Sequence, residues 1–303
     1  MNWRTYADWA KYRPATLRLA GWLGRGRGRF RYLDHLHRPP RAPRKPDLSR
    51  WNDYTLAATW IGHATILLRV GDMTILTDPV MFNRVGLGLG LWTGGPTRHI
   101  APALSIRQLP PIDLILVSHA HFDHLDRPTL QRLPKHVPVV TSRHTHDLIH
   151  DLGFASVTEL QWGEQVEVGG VRITAQQVRH WGARTFLDSH RGFNAYLIES
   201  AGTRILYGGD TAFHDGFKSI GKVDLAILGI GAYNPWIQGH ANPEQAWEMA
   251  QHVRADFVLP MHHSTFKLSH EPMDEPIQRL LTVAGKDEQR VIIREVGGMW
   301  ARN

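Results

Sequence analysis

The chain has 303 residues, 35 Lys and Arg against 28 Asp and Glu, a net charge of +7, and no cysteine. Its 42% apolar and 21% charged content is globular composition, enough to bury a sizeable core in one large α/β domain or two smaller ones. The missing cysteines exclude a disulfide scaffold, a thiolate zinc site and a cysteine nucleophile, so any metal must be held by His and carboxylates.

Charge is concentrated at the start. Residues 1–46 hold twelve Lys and Arg opposed only by Asp8 and Asp34, a net +10 that leaves −3 for the remainder. The high pI therefore belongs to an N-terminal extension, and the nearly neutral body, residues 47–303, gives no reason to expect nucleic acid. Within the extension, Trp3, Tyr6, Trp9, Leu17, Ala20 and Trp22 recur near helical spacing, interrupted at Pro14. A Gly-Arg run over 24–29 and Pro39, Pro40, Pro43 and Pro46 then read as a flexible and an extended linker. The extension fits two uses. It is either an arm packed on the body or a foot on an anionic membrane, where each basic residue contributes roughly 1 kcal/mol. No run approaches the ~20 apolar residues of a membrane span. The apolar stretch 17–23 is broken by Arg18, unlike a secretory signal. The expectation is a cytoplasmic protein, peripheral on the inner membrane face if the foot reading holds.

From Thr55 onward, β-rich runs alternate with helical ones. Strands are predicted at 55–60, 64–70 and 73–78, with Gly71-Asp72 as a tight turn, then at 113–119, 171–178, 193–200, 204–210, 224–231 and 256–262. Helices are predicted from the Asp126 cap to about Leu133, and at 143–152, 243–253 and 271–284. Many strands with polar residues at their ends suggest two packed sheets covered by helices. The glycines at 86–90 lack a strand–GxGxxG–helix context and read as a flexible loop.

The strongest chemical signal is SHAHFDHLD, residues 118–126, directly after the apolar run DLILV. His119 and His121, two apart, point the same way from extended backbone, while Asp123 and His124 follow where the chain turns. This arrangement suits two adjacent metals. Imidazole and carboxylate favour Zn²⁺ and also admit Mn²⁺ or Fe²⁺. Further ligands should then stand at other strand ends, where His180, Asp210 and His262 are found. His144, His146 and His150 imitate ligand spacing, but lie on the predicted helix 143–152, away from the strand ends.

These stretches resemble the metallo-β-lactamase superfamily, and within it the N-acylphosphatidylethanolamine-specific phospholipase D family. The resemblance spans nearly all of residues 55–270: WIGHAT (60–65), LTDPV (76–80), HAHFDH (119–124), VRHWGARTFLD (178–188), GGDTAF (208–213), IGAYNPW (230–236), GHANPEQA (239–246) and MHHSTF (261–266). It implies an αββα sandwich, two mixed β-sheets flanked by helices. It also implies one metal on His119, His121 and His180, a second on Asp123, His124 and His262, and Asp210 bridging both. The family pattern selects His262 over His263, four positions before Phe266. Asp78 is expected to hydrogen-bond the ligands, His63 either to do the same or to be a buried hydrogen-bonded histidine, and His240 to lie beside the substrate phosphate and head group. Phe122, Tyr233 and Trp236 are candidates for the cleft wall. Gly239 stands where the mammalian enzymes have Gln.

The implied activity is release of N-acylethanolamine and phosphatidic acid from a phospholipid, with Asp123, Asp210 and His240 as the catalytic residues. Two divalent cations would lower the pKa of water to ~7 and hold both oxygens of a phosphoryl transfer. The same site would serve a small phosphorylated metabolite, as in the similar ascorbate-6-phosphate lactonases. A nuclease of the ribonuclease Z or J type fits less well, because no inserted arm is found between the ligands. The sequence is compatible with a homodimer.

Overall fold

A computed structural model describes residues 36–302 apart from 89–92, 186 and 201. The amphipathic candidate at 1–23 and the Gly-Arg run lie outside the described residues. The described end of the extension runs along the body. Ala101 N–H donates to the Pro40 carbonyl at 2.8 Å, Arg44 pairs with Glu295 at 2.9 Å, and Ala42 packs against the core.

The described residues form fifteen strands: β1 (Leu56–Gly62), β2 (Thr65–Val70), β3 (Met73–Thr77), β4 (Leu87–Gly88), β5 (Thr93–Gly94), β6 (Leu114–Val117), β7 (Val139–Ser142), β8 (Val157–Leu160), β9 (Gln165–Val168), β10 (Val171–Gln176), β11 (Ala195–Ser200), β12 (Thr203–Tyr207), β13 (Leu225–Gly229), β14 (Phe257–Met261) and β15 (Met299–Arg302). The α-helices among the described residues are α1 (Arg127–Arg132), α2 (Pro243–His252) and α3 (Glu275–Ala284). One seven-stranded sheet runs β15-β1-β2-β3-β6-β7-β8, and a six-stranded sheet runs β14-β13-β12-β11-β10-β9. In each, antiparallel strands give way to parallel ones: β3, β6, β7 and β8 in the first, β12, β13 and β14 in the second.

The central strands β1, β2 and β3 are buried along their whole length, as strands covered on both faces must be. Leu68, Ile75, Leu116, Ile173, Ile198, Ile205 and Ile227 meet between the sheets. Outside the six-stranded sheet, Trp247, Met249, Ala250 and Leu280 of α2 and α3 cover Leu206, Ala226 and Leu228. Outside the seven-stranded sheet, Leu130, Leu133, Leu148 and Leu152 cover Leu67, Leu76 and Ile115. The layers are therefore those of an αββα sandwich. The Tyr196 hydroxyl crosses between the sheets and donates to the Val117 carbonyl at 2.9 Å.

Two helix starts are set by local chemistry. The Asp126 carboxylate accepts from Thr129 N–H at 3.1 Å and Oγ1 at 2.7 Å, with Pro128 in the first turn of α1. Asn242 and Gln245 form a reciprocal capping box at α2. The predicted helix 143–152 is corrected to two 3-10 turns, His146–Leu148 and His150–Leu152. His144 takes a left-handed φ of 61°, and Glu159 accepts from the Thr145 and His146 N–H groups, which breaks a continuous helix. The helix predicted from 271 begins at Glu275, because the buried Glu271 carboxylate accepts from Ala232 and Asn234 N–H and holds its own segment as loop. Of the described glycines in 86–90, Gly88 lies in a two-stranded ladder, β4 with β5, which corrects the flexible-loop reading there. No helix among the described residues is long and apolar enough to cross a membrane.

Candidate metal centre

Strand ends of both sheets converge on one cluster. His63 follows β1, Asp78 follows β3, and His119 to His124 follow β6. His180 lies beyond β10, Asp210 beyond β12, and His262 follows β14. His63, Asp78 and His262 hold φ of 56°, 33° and 61°, a left-handed turn that non-glycine residues adopt only under local constraint. It swings each side chain off the strand.

Two donor groups form. His63, Asp123, His124 and His262 bring ligand atoms within 4.8 Å of one another, as do His119, His121, His180 and Asp210. A third group, Asp210, His240 and His262, overlaps both. In the histidine-rich group, His119 Nε2 and His180 Nε2 lie 2.8 and 3.2 Å from His121 Nδ1, and 3.8 and 3.7 Å from Asp210 Oδ2. In the other, His262 Nε2 lies 3.3 Å from Asp123 Oδ2 and 3.2 Å from Asp210 Oδ2, while His124 Nε2 is 3.0 Å from Asp210 Oδ2. A tetrahedral shell with bonds of 2.0–2.1 Å has ligand–ligand edges of about 3.3–3.4 Å, close to these spacings.

The outward nitrogens are already committed. His180 Nδ1 donates to the Gly239 carbonyl at 2.8 Å. His124 Nδ1 donates to Asp78 Oδ2 at 2.6 Å. The Ser118 hydroxyl donates to Asp78 Oδ2 at 2.6 Å and so accepts from His119 Nδ1 at 2.9 Å. Each of these rings, when neutral, turns a bare Nε2 lone pair inward. His124 Nε2, both His262 nitrogens and Asp210 Oδ1 are buried without a hydrogen-bond partner. Converging lone pairs and orphaned buried atoms fit a bound cation and would otherwise be costly.

Asp78 is the hub beneath this layer. Fully buried, it accepts from Ser118 N–H, Ser118 Oγ, His124 Nδ1 and Tyr207 Oη, each at 2.6 Å. His63 Nε2 reaches Asp123 Oδ2 at 2.8 Å. His263 turns away, its ring 4.6 Å from Trp60 and its Nδ1 on Ser264. His240 stands beside the cluster, Nδ1 3.8 Å from Asp210 Oδ2 and its ring stacked 5.2 Å from His262. Phe122 is half-buried under the Arg184 guanidinium and beside the Val80–Val85–Phe266 cluster. Tyr233 is buried, and its hydroxyl donates to Glu275 and accepts from Arg279, which commits it to α3. His144, His146 and His150 are exposed and in none of the donor groups.

Electrostatics divide the histidines. Burial holds His63 down at about 3, His121 and His240 at about 4, and His119 and His180 well below the usual range. Burial also opposes charge on His262 and His124, but Asp210 with its neighbouring carboxylates raises His262 to about 9 and His124 well above its ordinary value. Asp123 and Asp210 stay well below the carboxylate range despite burial, held there by the surrounding imidazoles. The metal-free protein therefore keeps protons between its carboxylates. A raised His262 stabilises the fold fully below about pH 6.5, and that contribution is lost as pH rises through 9. The depressed histidines act oppositely, because the unfolded chain binds more protons below pH 6.5 and stability falls with acid. Chelator-treated protein is expected to show its highest Tm near pH 6.5–7, declining on both sides. A Tm that rises steadily to pH 9 would contradict this.

The comparisons with known proteins agree with this geometry. A family model described as the beta-lactamase superfamily domain matches residues 73–263, a span holding every residue of the three donor groups except His63. The chain belongs to the beta-lactamase superfamily and is a metal-dependent hydrolase of that fold. It is 31% identical to N-acyl-phosphatidylethanolamine-hydrolyzing phospholipase D 1 of Caenorhabditis elegans over 271 residues, 81% of this chain and 75% of that protein. The mitochondrial N-acyl-phosphatidylethanolamine-hydrolyzing phospholipase D of Saccharomyces cerevisiae is 32% identical over 284 residues, 88% of this chain and 59% of that one. In fold it is similar to the crystal structure of a possible metal-dependent hydrolase from Veillonella parvula, with a TM-score of 0.67 at 17% identity over 82% of this chain and all of that one.

Two contributors were not visible in the sequence reading. Ser118 meets Asp78 across the neighbouring ends of β6 and β3, and Tyr207 reaches it from β12 of the other sheet, although each adjoins a recognised motif.

Proposed function

We propose that the chain is a dinuclear-metal phosphodiesterase of phospholipase D type, acting on N-acylphosphatidylethanolamine-like lipids. The observation that carries this reading is two adjacent donor groups beneath an apolar rim, one containing Asp210 and the other with its His124 and His262 Nε2 atoms 3.0 and 3.2 Å from Asp210 Oδ2. Trp181, 41% exposed, stacks 4.5 Å from His180 and lies 5.1 Å from His121. Exposed Trp162 lies against Phe193, itself 6.4 Å from His180. Trp236 and Ile237, also exposed, belong to the turn whose Trp236 carbonyl accepts from Gly239 and His240 N–H. Exposed apolar groups gathered at a site mouth favour a substrate with acyl chains over a small polar metabolite. Similarity to the worm and yeast phospholipases supports the same class.

Two divalent cations held there, zinc by the donor set, would acidify a water and neutralise a phosphodiester. The protein's own groups do the rest. Asp123 and Asp210 remain ionised, Asp78 and Ser118 fix ring orientations, and neutral His240 offers an N–H to the phosphate or leaving oxygen beside Asp210. Phe122 and the rim would confine the lipid. The basic segment 1–46 would bring the enzyme to an anionic membrane surface.

Zinc-loaded protein should hydrolyse N-acylphosphatidylethanolamine vesicles at least about tenfold faster than bis-p-nitrophenyl phosphate, and faster still with anionic lipid in the vesicle. Cleavage of the soluble diester alone would overturn the lipid reading and move the substrate to a small phosphorylated molecule. Loss of neither activity on chelation would overturn the metal centre.

A further inference from the structure

Arg184 lies four residues beyond His180, in the loop between β10 and β11, and only 8% of it is exposed. Its Nη1 donates to the Ala120 carbonyl and to the Leu125 carbonyl, each at 2.8 Å. Ala120 sits between His119 and His121, and Leu125 directly follows His124. One nitrogen thus joins the start and end of the loop that carries four of the cluster residues. The guanidinium carbon sits 3.9 Å from the centroid of Phe122, the residue midway along that loop.

The segment that follows Arg184 is tied down by charged hydrogen bonds. Asp188 accepts from Thr185 N–H and from Arg191 Nε, both at 2.6 Å, and Arg191 continues to Asp147 at 2.5 and 3.0 Å. Both bridged residues are fully buried, so losing the donor would leave their carbonyls without this partner in a dry interior. A planar guanidinium can bridge two carbonyls while its face stacks on a ring; a lysine ammonium can donate to both carbonyls but has no planar face to lay on Phe122.

We infer that Arg184 is a positioning residue that sets the separation of the two donor groups, by fixing the chord of the 119–125 loop and tying it to the segment that supplies His180. Asp123 and His124 belong to one group, His119, His121 and His180 to the other, and Arg184 touches the loop they share. The inference rests on the metal centre proposed above. It predicts that removing the bridge changes metal binding unequally at the two groups, an effect that general destabilisation does not produce.

The test is cobalt(II) titration of the full chain, read by bound-metal stoichiometry and by the visible d–d bands, for the native sequence, Arg184→Met and Arg184→Lys. The native chain should take up two cobalt ions. Arg184→Met should weaken one of the two sites by roughly 10–100-fold, the usual effect of losing a group that orients ligands, and alter the bands. Arg184→Lys, which keeps the charge, should lie between. If the native chain binds no cobalt, the metal centre itself fails. If it binds two and a folded variant binds two with unchanged affinities and bands, the Arg184 inference alone is overturned. Should Arg184→Met not fold, Arg184→Lys decides by the same two readings.

Discussion

Asp210→Asn is expected to reduce hydrolysis by at least about 10³-fold, or about 4 kcal/mol of barrier, while the chain stays folded. Asp210 is the one carboxylate common to two donor groups, and its Oδ2 lies between 3.0 and 3.8 Å from nitrogens of His119, His124, His180, His240 and His262. The amide has the same shape but no charge, so it cannot neutralise two cations at once. Its side-chain NH₂ would also confront bare imidazole lone pairs with a donor, which favours the metal-free arrangement. Bound metal should fall from two per chain towards one or none. The checks are turnover of a soluble phosphodiester, elemental analysis of the purified variant, and a far-UV spectrum equal to that of the native chain. Retained turnover with two metals bound would sink the shared-carboxylate arrangement.

The second large effect is expected in stability. Asp78→Asn keeps the volume, yet one of the two carboxylate oxygens becomes an NH₂ group. Oδ2 alone accepts from Ser118 Oγ, His124 Nδ1 and Tyr207 Oη, and Oδ1 accepts from Ser118 N–H. Whichever way the amide turns, at least one donor faces another donor with no solvent to absorb the conflict. Breaking a buried charged network of this kind costs about 3–5 kcal/mol. At about 2–4 °C per kcal/mol for a domain of this size, Tm should drop by roughly 6–20 °C. Because the same oxygen fixes the His124 ring, metal affinity should also fall by about 10–100-fold. Calorimetry with and without zinc separates the two: a Tm loss that zinc fully restores would mean Asp78 acts only through the metal site.

Much of the site was legible because its signal is local. SHAHFDHLD follows a buried strand, so backbone geometry alone placed His119 and His121 on one side. Asp126 and Asn242 announced helices by chemistry that acts over three residues. The strand ends carrying His180, Asp210 and His262 could be found from apolar runs that stop in polar residues. What escaped had a different character. β7, β8, β9 and β15 were not predicted, since four-residue strands such as VVTS or MWAR carry too little periodicity to stand out. Glu159 accepting the N–H groups of Thr145 and His146, and Asp78 meeting Tyr207, are encounters between segments apart in sequence. Tyr233 had the composition of a cleft wall, but the position of Glu275 and Arg279, some forty residues on, decided where its hydroxyl went.

The last strand has a bearing on how the molecule assembles. β15 pairs antiparallel with β1, Thr59 opposite Met299 and Leu56 opposite Arg302, so one sheet is completed by residues from opposite ends of the catalytic body. Such pairing carries a large loop-closure entropy and belongs to slow, high-contact-order folding. His63 lies just past the strand that β15 pairs with, and Gly297, two residues before β15, donates its N–H to the Trp60 carbonyl. Metal uptake during refolding should therefore lag the burial of the inter-sheet core, reporting the arrival of the chain's final strand rather than the initial collapse.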